Sequence, residues 1–103
     1  MVKLVVFLGD SLARLRAFPV DVRRAAGLQI DRVQHGRDPN DWKPMSGIGP
    51  GVREIRLRER SGAYRLMYVA GTPDGIVVLH VFEKKTQATA KRDIELASNR
   101  LRL

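Results

Sequence analysis

Hydrophobic residues in the first third of the chain follow two different spacings, which predict one strand and two helices. Residues 2–7 are mostly β-branched or aromatic and are followed by Gly9 and Asp10, a pattern typical of a strand that ends in a turn. A short helix comes next and must end before Pro19, because the residue preceding a proline avoids helical angles. A second helix is predicted over residues 19–34, with an apolar stripe formed by Val22, Ala26, Ile30 and Val33.

The rest of the chain predicts a loop, three strands and a last helix. Residues 36–51 contain three prolines and four glycines, which argue against regular structure there. Short polar links then separate three apolar segments, so antiparallel strands are predicted over residues 52–59, 63–70 and 76–83. A final helix is predicted over residues 86–101. The whole of residues 1–103 is thus expected to form a single α+β domain, a small antiparallel sheet with the first strand at its edge and the helices packed on one face, in the order β-α-α-β-β-β-α.

Alternation along these three strands sorts their side chains onto two faces. One set is apolar and is expected beneath the helices: Ile55, Leu57, Tyr64, Leu66, Tyr68, Val77, Leu79 and Val81. The opposite set is expected on an open face: Glu54, Arg56, Arg58, Ala63, Arg65, Met67, Val78, His80, Phe82 and Lys84. Guanidinium groups match phosphate oxygens and aromatic rings stack on bases, so this face suits single-stranded RNA.

Composition narrows the classes of function. Lysine and arginine total 19 against 11 acidic residues, and the formal charge of +8 points to a polyanionic partner. Cysteine is absent, which excludes disulfides and thiol catalysis, and two histidines without clustered carboxylates do not suggest a metal site. The longest apolar run, residues 4–8, is too short to span a membrane, and no secretory signal is recognised. A cytoplasmic protein is therefore expected.

The basic face also has a simpler interpretation, which stays open at this point. Cations on the outer face of a sheet are often only solvated. His80, between Leu79 and Val81, is equally consistent with a partly buried histidine whose hydrogen bonds are satisfied within the fold.

Three segments of the chain resemble motifs of one known family. They are MSGIGPGVREIR at residues 45–56, YRLMY at residues 64–68 and LHVFEKKTQ at residues 79–87, and the QHG at residues 34–36 fits an earlier motif. The family is the phage-derived branch of the RelE/HigB toxins of type II toxin–antitoxin systems, and the resemblance covers nearly the whole chain. It departs near Thr89, where many relatives have a proline that opens the last helix.

The resemblance implies an endoribonuclease that cleaves mRNA in the ribosomal A site without a metal ion or other cofactor. In such toxins the 2′-hydroxyl of the RNA attacks the adjacent phosphate, and residues of the open face catalyse the step. Carried over by motif, the expected catalytic residues are Arg56, Arg65, His80 and Lys84. Phe82 and Lys85 by motif, and Arg58 by its place on the open face, are expected to bind RNA.

His80 is the first choice for the base that accepts the proton. If His80 points into the core, the role falls to a lysine, with Lys84 next in order. A lysine would need its pKa lowered by burial and by cationic neighbours in order to act as a base.

The resemblance also implies a partner and leaves two other functions open. A cognate helix-turn-helix antitoxin is expected to block the toxin, so a toxin–antitoxin hetero-oligomer is expected and a membrane partner is not. The related ParE-type toxins share the fold and poison DNA gyrase, although they generally lack the basic cluster seen here. A non-catalytic RNA-binding module would carry the same basic face.

Overall fold

The computed structural model of the protein describes residues 2–102. Its elements, in chain order, are β1 (Val5–Phe7), α1 (Ser11–Ala17), α2 (Val20–Gln34), β2 (Trp42–Pro44), β3 (Val52–Glu59), β4 (Gly62–Thr72), β5 (Gly75–Glu83) and α3 (Lys91–Leu101). The predicted α+β class is confirmed. Over residues 2–102, none of the helices combines the length and the hydropathy that a membrane crossing requires.

The five strands form one sheet in the order β1-β5-β4-β3-β2. The four strands from β2 to β5 pair antiparallel with their neighbours, whereas β1 lies parallel to β5 at the edge. The edge position of the first strand is confirmed. β1 pairs only with Ile76 to Val78, so the second half of β5 extends beyond it.

The helices α1 and α2 cover one face of the sheet. Val22, Ala26 and Val33, from the predicted stripe of α2, are buried there. They pack in one cluster with the apolar strand residues Ile55, Leu57, Tyr64, Leu66, Tyr68, Ile76, Val78 and Val81. This cluster is the larger of the two cores, and burying a Leu or Ile side chain in it contributes about 1.5–3 kcal/mol.

Helix α3 lies on the opposite face, so the expectation that all helices share one face is wrong. Its Ala97 and Leu101 pack in a second cluster with Val52, Met67, Val69, Leu79 and Phe82. These apolar contacts hold the helix on this face, and in the preceding loop the hydroxyl of Thr89 donates a hydrogen bond to Glu54 on the same face. Because α3 packs mainly against β5, the cationic residues of β3 and β4 are left beside it.

A β-bulge in β5 changes which residues face α3. Met67 pairs with His80, but the next residue of β4 pairs with Val78, so Leu79 is the extra residue. Leu79 and His80 therefore both point toward α3 instead of alternating. For this reason the predicted faces of Val77, Val78 and Leu79 are wrong, whereas those of Val81 and Phe82 agree with the structure.

Two predicted boundaries also need correction. Residues 42–44, expected in a loop, form β2, whose Pro44 is tolerated because an edge strand has one side without ladder hydrogen bonds. The last helix begins at Lys91, not at residue 86. Residues 86–90 form a loop in which the hydroxyl of Thr86 donates a hydrogen bond to the carbonyl of Ala88. The backbone of Ala90 is extended.

Candidate active site

A cavity of about 480 Å³ opens on the α3 face where β3, β4 and the end of β5 meet. We name it the cationic cavity, because four of its seven lining residues carry positive charge. The lining consists of Arg58, Ala63, Arg65, Lys84, Lys85, Thr86 and Gln87, and none of these is acidic. Such a surface attracts an anion, since the cations repel one another until a counter-charge is bound.

The strand register brings these cations together. Arg56 lies opposite Arg65, and Arg58 lies opposite Ala63, across the β3–β4 ladder. Just past β5, the backbone N–H of Lys84 donates to the carbonyl of Ala63 at 2.8 Å and so holds Lys84 against β4. Three consecutive strands thus deliver their cations to one place.

A fully buried glutamate lies beneath the cations. Glu54 Oε1 is 3.4 Å from Arg65 Nε and 3.8 Å from Lys43 Nζ, and its Oε2 accepts a 2.9 Å hydrogen bond from Thr89. One carboxylate therefore holds two cations and the loop that leads to α3. From the sequence, Glu54 was expected among the cations of the open face, without a role of its own. The available signal was a lone acid alternating with arginines along one strand.

Arg65 forms the floor of the cavity and is only 3% exposed. Its guanidinium donates to the carbonyl of Tyr64 at 3.0 Å in addition to its ion pair with Glu54. Burial lowers the pKa of Arg65, nearby Arg56 and Arg58 lower it further, and Glu54 acts in the opposite direction. An arginine stays protonated even so, and Arg65 therefore presents a fixed positive charge.

The pKa of Lys84 is shifted in the direction that a lysine base requires. Loss of hydration lowers the pKa of its ammonium group, and the charge of Arg65 is the next largest cause. Glu54 acts in the opposite direction, and Lys43 and Arg56 lower the pKa by smaller amounts. The neutral amine is therefore more populated near neutral pH than in an ordinary lysine. A group that can take up a proton thus lies in the same cavity as a fixed cation.

The other predicted cations lie around this centre. Arg58 and Lys85 are exposed at the rim of the cavity. Arg56 is paired across the strands with Arg65 and lies 3.5 Å from the carboxylate of Asp41, just outside the lining. Within residues 2–102, histidine, aspartate and glutamate side chains form no group of three or more that could hold a metal ion.

His80 and Phe82 are placed differently from the expectation of an open face. Both are buried, because the bulge and α3 enclose this part of β5. His80 Nε2 is 2.7 Å from Asp93 Oδ1 of α3, and its ring stacks on Phe82 with 5.0 Å between centroids. Burial lowers the pKa of His80, although Asp93 opposes that change. Neither residue lines the cationic cavity, and the sequence carried no signal for the Asp93 contact.

Comparisons with known proteins agree with this architecture. The fold is that of the RelE-like α+β proteins: the structure is similar to that of a mutant of the E. coli toxin RelE in the free state, with a TM-score of 0.70 and 23% identity over 98% of this chain and 99% of that chain. Residues 13–102 match the family described as "Phage derived protein Gp49-like", and the chain belongs to this family. No curated protein matches the chain significantly in sequence. The resemblance drawn from the motifs is confirmed at the level of family and fold.

Proposed function

We propose that the chain is the toxin component of a type II toxin–antitoxin system and acts as a metal-independent endoribonuclease on mRNA. The observation that carries the proposal is the cationic cavity, where the buried guanidinium of Arg65 and the amine of Lys84, whose pKa is lowered, face the same space. Membership of the Gp49-like family and the RelE-like fold support the toxin class. The net charge of +8 favours binding to RNA.

The proposed reaction is a phosphoryl transfer within the RNA. The 2′-oxygen forms a bond to the adjacent phosphorus while the bond from phosphorus to the 5′-oxygen breaks, leaving a 2′,3′-cyclic phosphate and a 5′-hydroxyl end. Lys84, as the neutral amine, takes the proton of the 2′-hydroxyl, and the ammonium of Lys85 supplies a proton to the leaving 5′-oxygen. Arg65, with Arg56 beside it, stabilises the negative charge that develops on the phosphate.

This proposal assigns the base to Lys84, the second choice of the sequence analysis, instead of His80. A base must come within hydrogen-bond reach of the proton that it removes. Lys84 lines the cationic cavity, whereas His80 is enclosed between β5 and α3. Glu54 acts as a positioning residue, because it holds the Arg65 guanidinium and, through Thr89, the loop beside Lys85.

The substrate and the partner follow from the family resemblance. We propose that the chain acts in the cytoplasm on mRNA in the A site of translating ribosomes. We also propose that a helix-turn-helix antitoxin neutralises it in a hetero-oligomer. An antitoxin that blocks the cationic cavity is expected to present an acidic segment to it, since opposite potentials meet at such interfaces.

Controlled induction in a bacterial host, followed by mapping of mRNA 5′ ends, tests the proposal. The wild type is compared with Lys84→Met and with a matched control, Lys91→Met, whose lysine is 88% exposed on α3 and lies outside the cationic cavity. We expect new 5′-hydroxyl ends within coding regions from the wild type and the control. Lys84→Met should give roughly 100-fold fewer, the lower range for loss of a general acid or base.

The dependence of cleavage on pH provides a second readout. Because the base must be unprotonated and the pKa of Lys84 lies below the ordinary value of 10.5, cleavage should rise with pH and level off before that value. Growth arrest without new mRNA ends would contradict the nuclease and favour a gyrase poison. RNA binding without cleavage, even on translating ribosomes, would favour a non-catalytic module.

A further inference from the structure

The amine of Lys84 lies in the cationic cavity without an ion-pair partner. Within residues 2–102, Lys85 lies 4.0 Å from Glu83 and Lys43 lies 3.8 Å from Glu54, but no carboxylate comes as close to Lys84. Its side chain lines the cavity and is only partly buried. The Nζ atom of Lys84 is therefore open to a small molecule that enters the cavity.

An amine in this position is a nucleophile as well as a base. A lysine attacks a carbonyl carbon only as the neutral amine, because the ammonium form has no lone pair to donate. Loss of hydration and the charge of Arg65 lower the pKa of Lys84. The neutral form of Lys84 is therefore more abundant near neutral pH than that of an ordinary lysine.

The groups around this amine select for an anion. Arg58, Arg65 and Lys85 line the same cavity, and none of the lining residues is acidic. Guanidinium groups bind phosphate oxygens through paired hydrogen bonds. A small molecule that carries a phosphate is therefore expected beside Lys84 at a local concentration about 10- to 1,000-fold higher than an uncharged molecule.

An electrophile that carries its own phosphate matches both features of the cavity. In an acyl phosphate a single oxygen separates the carbonyl carbon from the phosphorus, so a phosphate bound by the arginines keeps that carbon in the same cavity as Lys84. The cavity volume of about 480 Å³ lies within the range of about 300–1,000 Å³ that is usual for small-molecule sites. The backbone hydrogen bond from Lys84 to Ala63 holds the nucleophile against β4.

We propose that Lys84 is a site of acylation by acyl phosphates, which bind in the cationic cavity through their phosphate group. The Nζ atom forms a bond to the carbonyl carbon while the bond from that carbon to the bridging oxygen breaks. The oxygen leaves with the phosphate, and the nitrogen releases a proton to the solvent. The products are an amide at Lys84 and inorganic phosphate, so the step balances without an oxidant or a reductant.

Acylation of Lys84 would regulate the proposed nuclease. Acylation removes the positive charge of a lysine, and an amide nitrogen does not accept a proton near neutral pH. The modified chain would therefore lose the base of the cleavage reaction. This consequence rests on the proposed function, whereas the acylation itself does not.

The test treats the purified wild-type chain with acetyl phosphate and follows acetylation by mass spectrometry. Digestion after glutamate releases residues 84–95 as one peptide, which carries Lys84 together with Lys91, a control that is 88% exposed on α3. We compare the Lys84-to-Lys91 ratio of acetylation rates for acetyl phosphate with the same ratio for the uncharged donor p-nitrophenyl acetate. The first ratio should be at least about tenfold higher, because only the phosphate donor is attracted by the cations.

Two further measurements test the role of the cavity. Inorganic phosphate should compete with acetyl phosphate, slowing acetylation of Lys84 and leaving that of Lys91 unchanged. Arg58→Met should lower the Lys84-to-Lys91 ratio for acetyl phosphate. Arg24→Met removes the same charge from an exposed position on α2 and should leave the ratio unchanged.

The outcomes separate this inference from the proposed function. Equal ratios with the two donors, or acetylation of Lys84 that inorganic phosphate does not slow, would overturn the acylation site. If Lys84 is acetylated selectively but the unmodified chain never cleaves mRNA, the proposed nuclease fails and the acylation site stands.

Discussion

The two faces of the sheet are formed by alternate residues of the same strands, yet helices cover them to different extents. On the α1/α2 face, apolar side chains meet two helices, and the largest cluster of buried residues results. On the α3 face, one helix packs mainly on β5, and beside it Arg65, with Glu54 as its buried counter-charge, lines a cavity together with Lys84. The comparison shows how a chain of this size places its larger apolar core under one face and gathers its cations on the other.

The largest loss of stability and of cleavage is expected at Arg65, which pairs with the buried Glu54 and lines the cationic cavity. Arg65→Ala leaves the fully buried carboxylate of Glu54 without its closest cation, and breaking such a pair costs about 3–5 kcal/mol. It also removes the fixed charge at the floor of the cationic cavity. We expect urea denaturation to show this loss of stability and 5′-end mapping to show no cleavage.

A double variant separates the two roles of Arg65. Replacing a buried ion pair with apolar residues of similar volume is often neutral or stabilising. Arg65→Met combined with Glu54→Leu should therefore recover most of the stability while cleavage stays absent. Stability that remains low in the double variant would contradict the pairing argument, and cleavage that returns would contradict the role of Arg65 at the phosphate.

The next largest effect, a loss of stability alone, is expected on the α1/α2 face. Leu66 is buried among the side chains under α1 and α2, and Leu66→Ala should lower the free energy of unfolding by about 2–5 kcal/mol. Cleavage per folded molecule should stay at the wild-type level, because no lining residue of the cationic cavity changes. Leu28→Ala, at an exposed position, is the control and should shift stability by less than about 0.5 kcal/mol. A tenfold loss of cleavage per folded Leu66→Ala molecule would show that the faces are coupled.

A smaller effect is expected from His80, and it depends on pH. Asp93 and Arg100 face His80 from α3, and Arg14 faces it from α1. Burial keeps the pKa of His80 below 6.5, so below that pH the unfolded chain binds a proton that the folded chain does not. This contribution to stability is present above pH 6.5 and is lost as the pH falls below it.

His80→Gln tests this contribution, because glutamine can keep a hydrogen bond to Asp93 and does not titrate. Urea denaturation on either side of pH 6.5 should show a shallower pH dependence for the variant than for the wild type. Identical pH dependence of the two proteins would contradict a neutral, buried imidazole.

The smallest effect is expected at Asp10, an exposed tie between the start of α1 and α3. Its carboxylate lies 2.6 Å from Arg100 and 2.9 Å from Arg14, and hydrogen bonds from these arginines hold its pKa at about 2. The contribution is present above the ordinary pKa of 3.8 and is lost as the pH falls toward 2. Because half of Asp10 is exposed, Asp10→Asn should cost less than about 1 kcal/mol, measured by urea denaturation at neutral pH. An unchanged acid unfolding curve would contradict the tie.

The parts of the fold that sequence predicted well depend on local patterns. The stripe of α2 and the alternation in β3 and β4 are set by neighbouring residues, and both appear as expected. The side taken by α3 and the strand β2 depend on contacts between distant residues, such as Thr89 with Glu54 and Trp42 with Ile55. The spacing of apolar residues carries no information about contacts between distant residues. For this reason the side taken by α3 and the strand β2 were not predicted.

The same difference between local patterns and distant contacts explains which parts of the candidate site were predicted. Alternation correctly placed Arg56, Arg58 and Arg65 on one face, and the motif pointed to Lys84 and Lys85. Whether a residue on that face is open or covered depends on where α3 packs, which is why His80 and Phe82 proved to be buried. The function of these residues as catalytic or RNA-binding groups remains the prediction that the experiments above test.

The β-bulge at Leu79 has a consequence for how this chain can vary over evolutionary time. Successive side chains of a strand alternate between its two faces, and the extra residue shifts this alternation by one position within β5. Deleting Leu79 would leave the pairing on either side of it unchanged and restore plain alternation, so Val81 and Phe82 would keep their faces and the α3 side would lose one buried apolar side chain. Inserting one further residue without a second bulge would instead exchange the faces of all residues beyond it. We therefore expect homologues to tolerate the loss of one residue in β5 more readily than the gain of one.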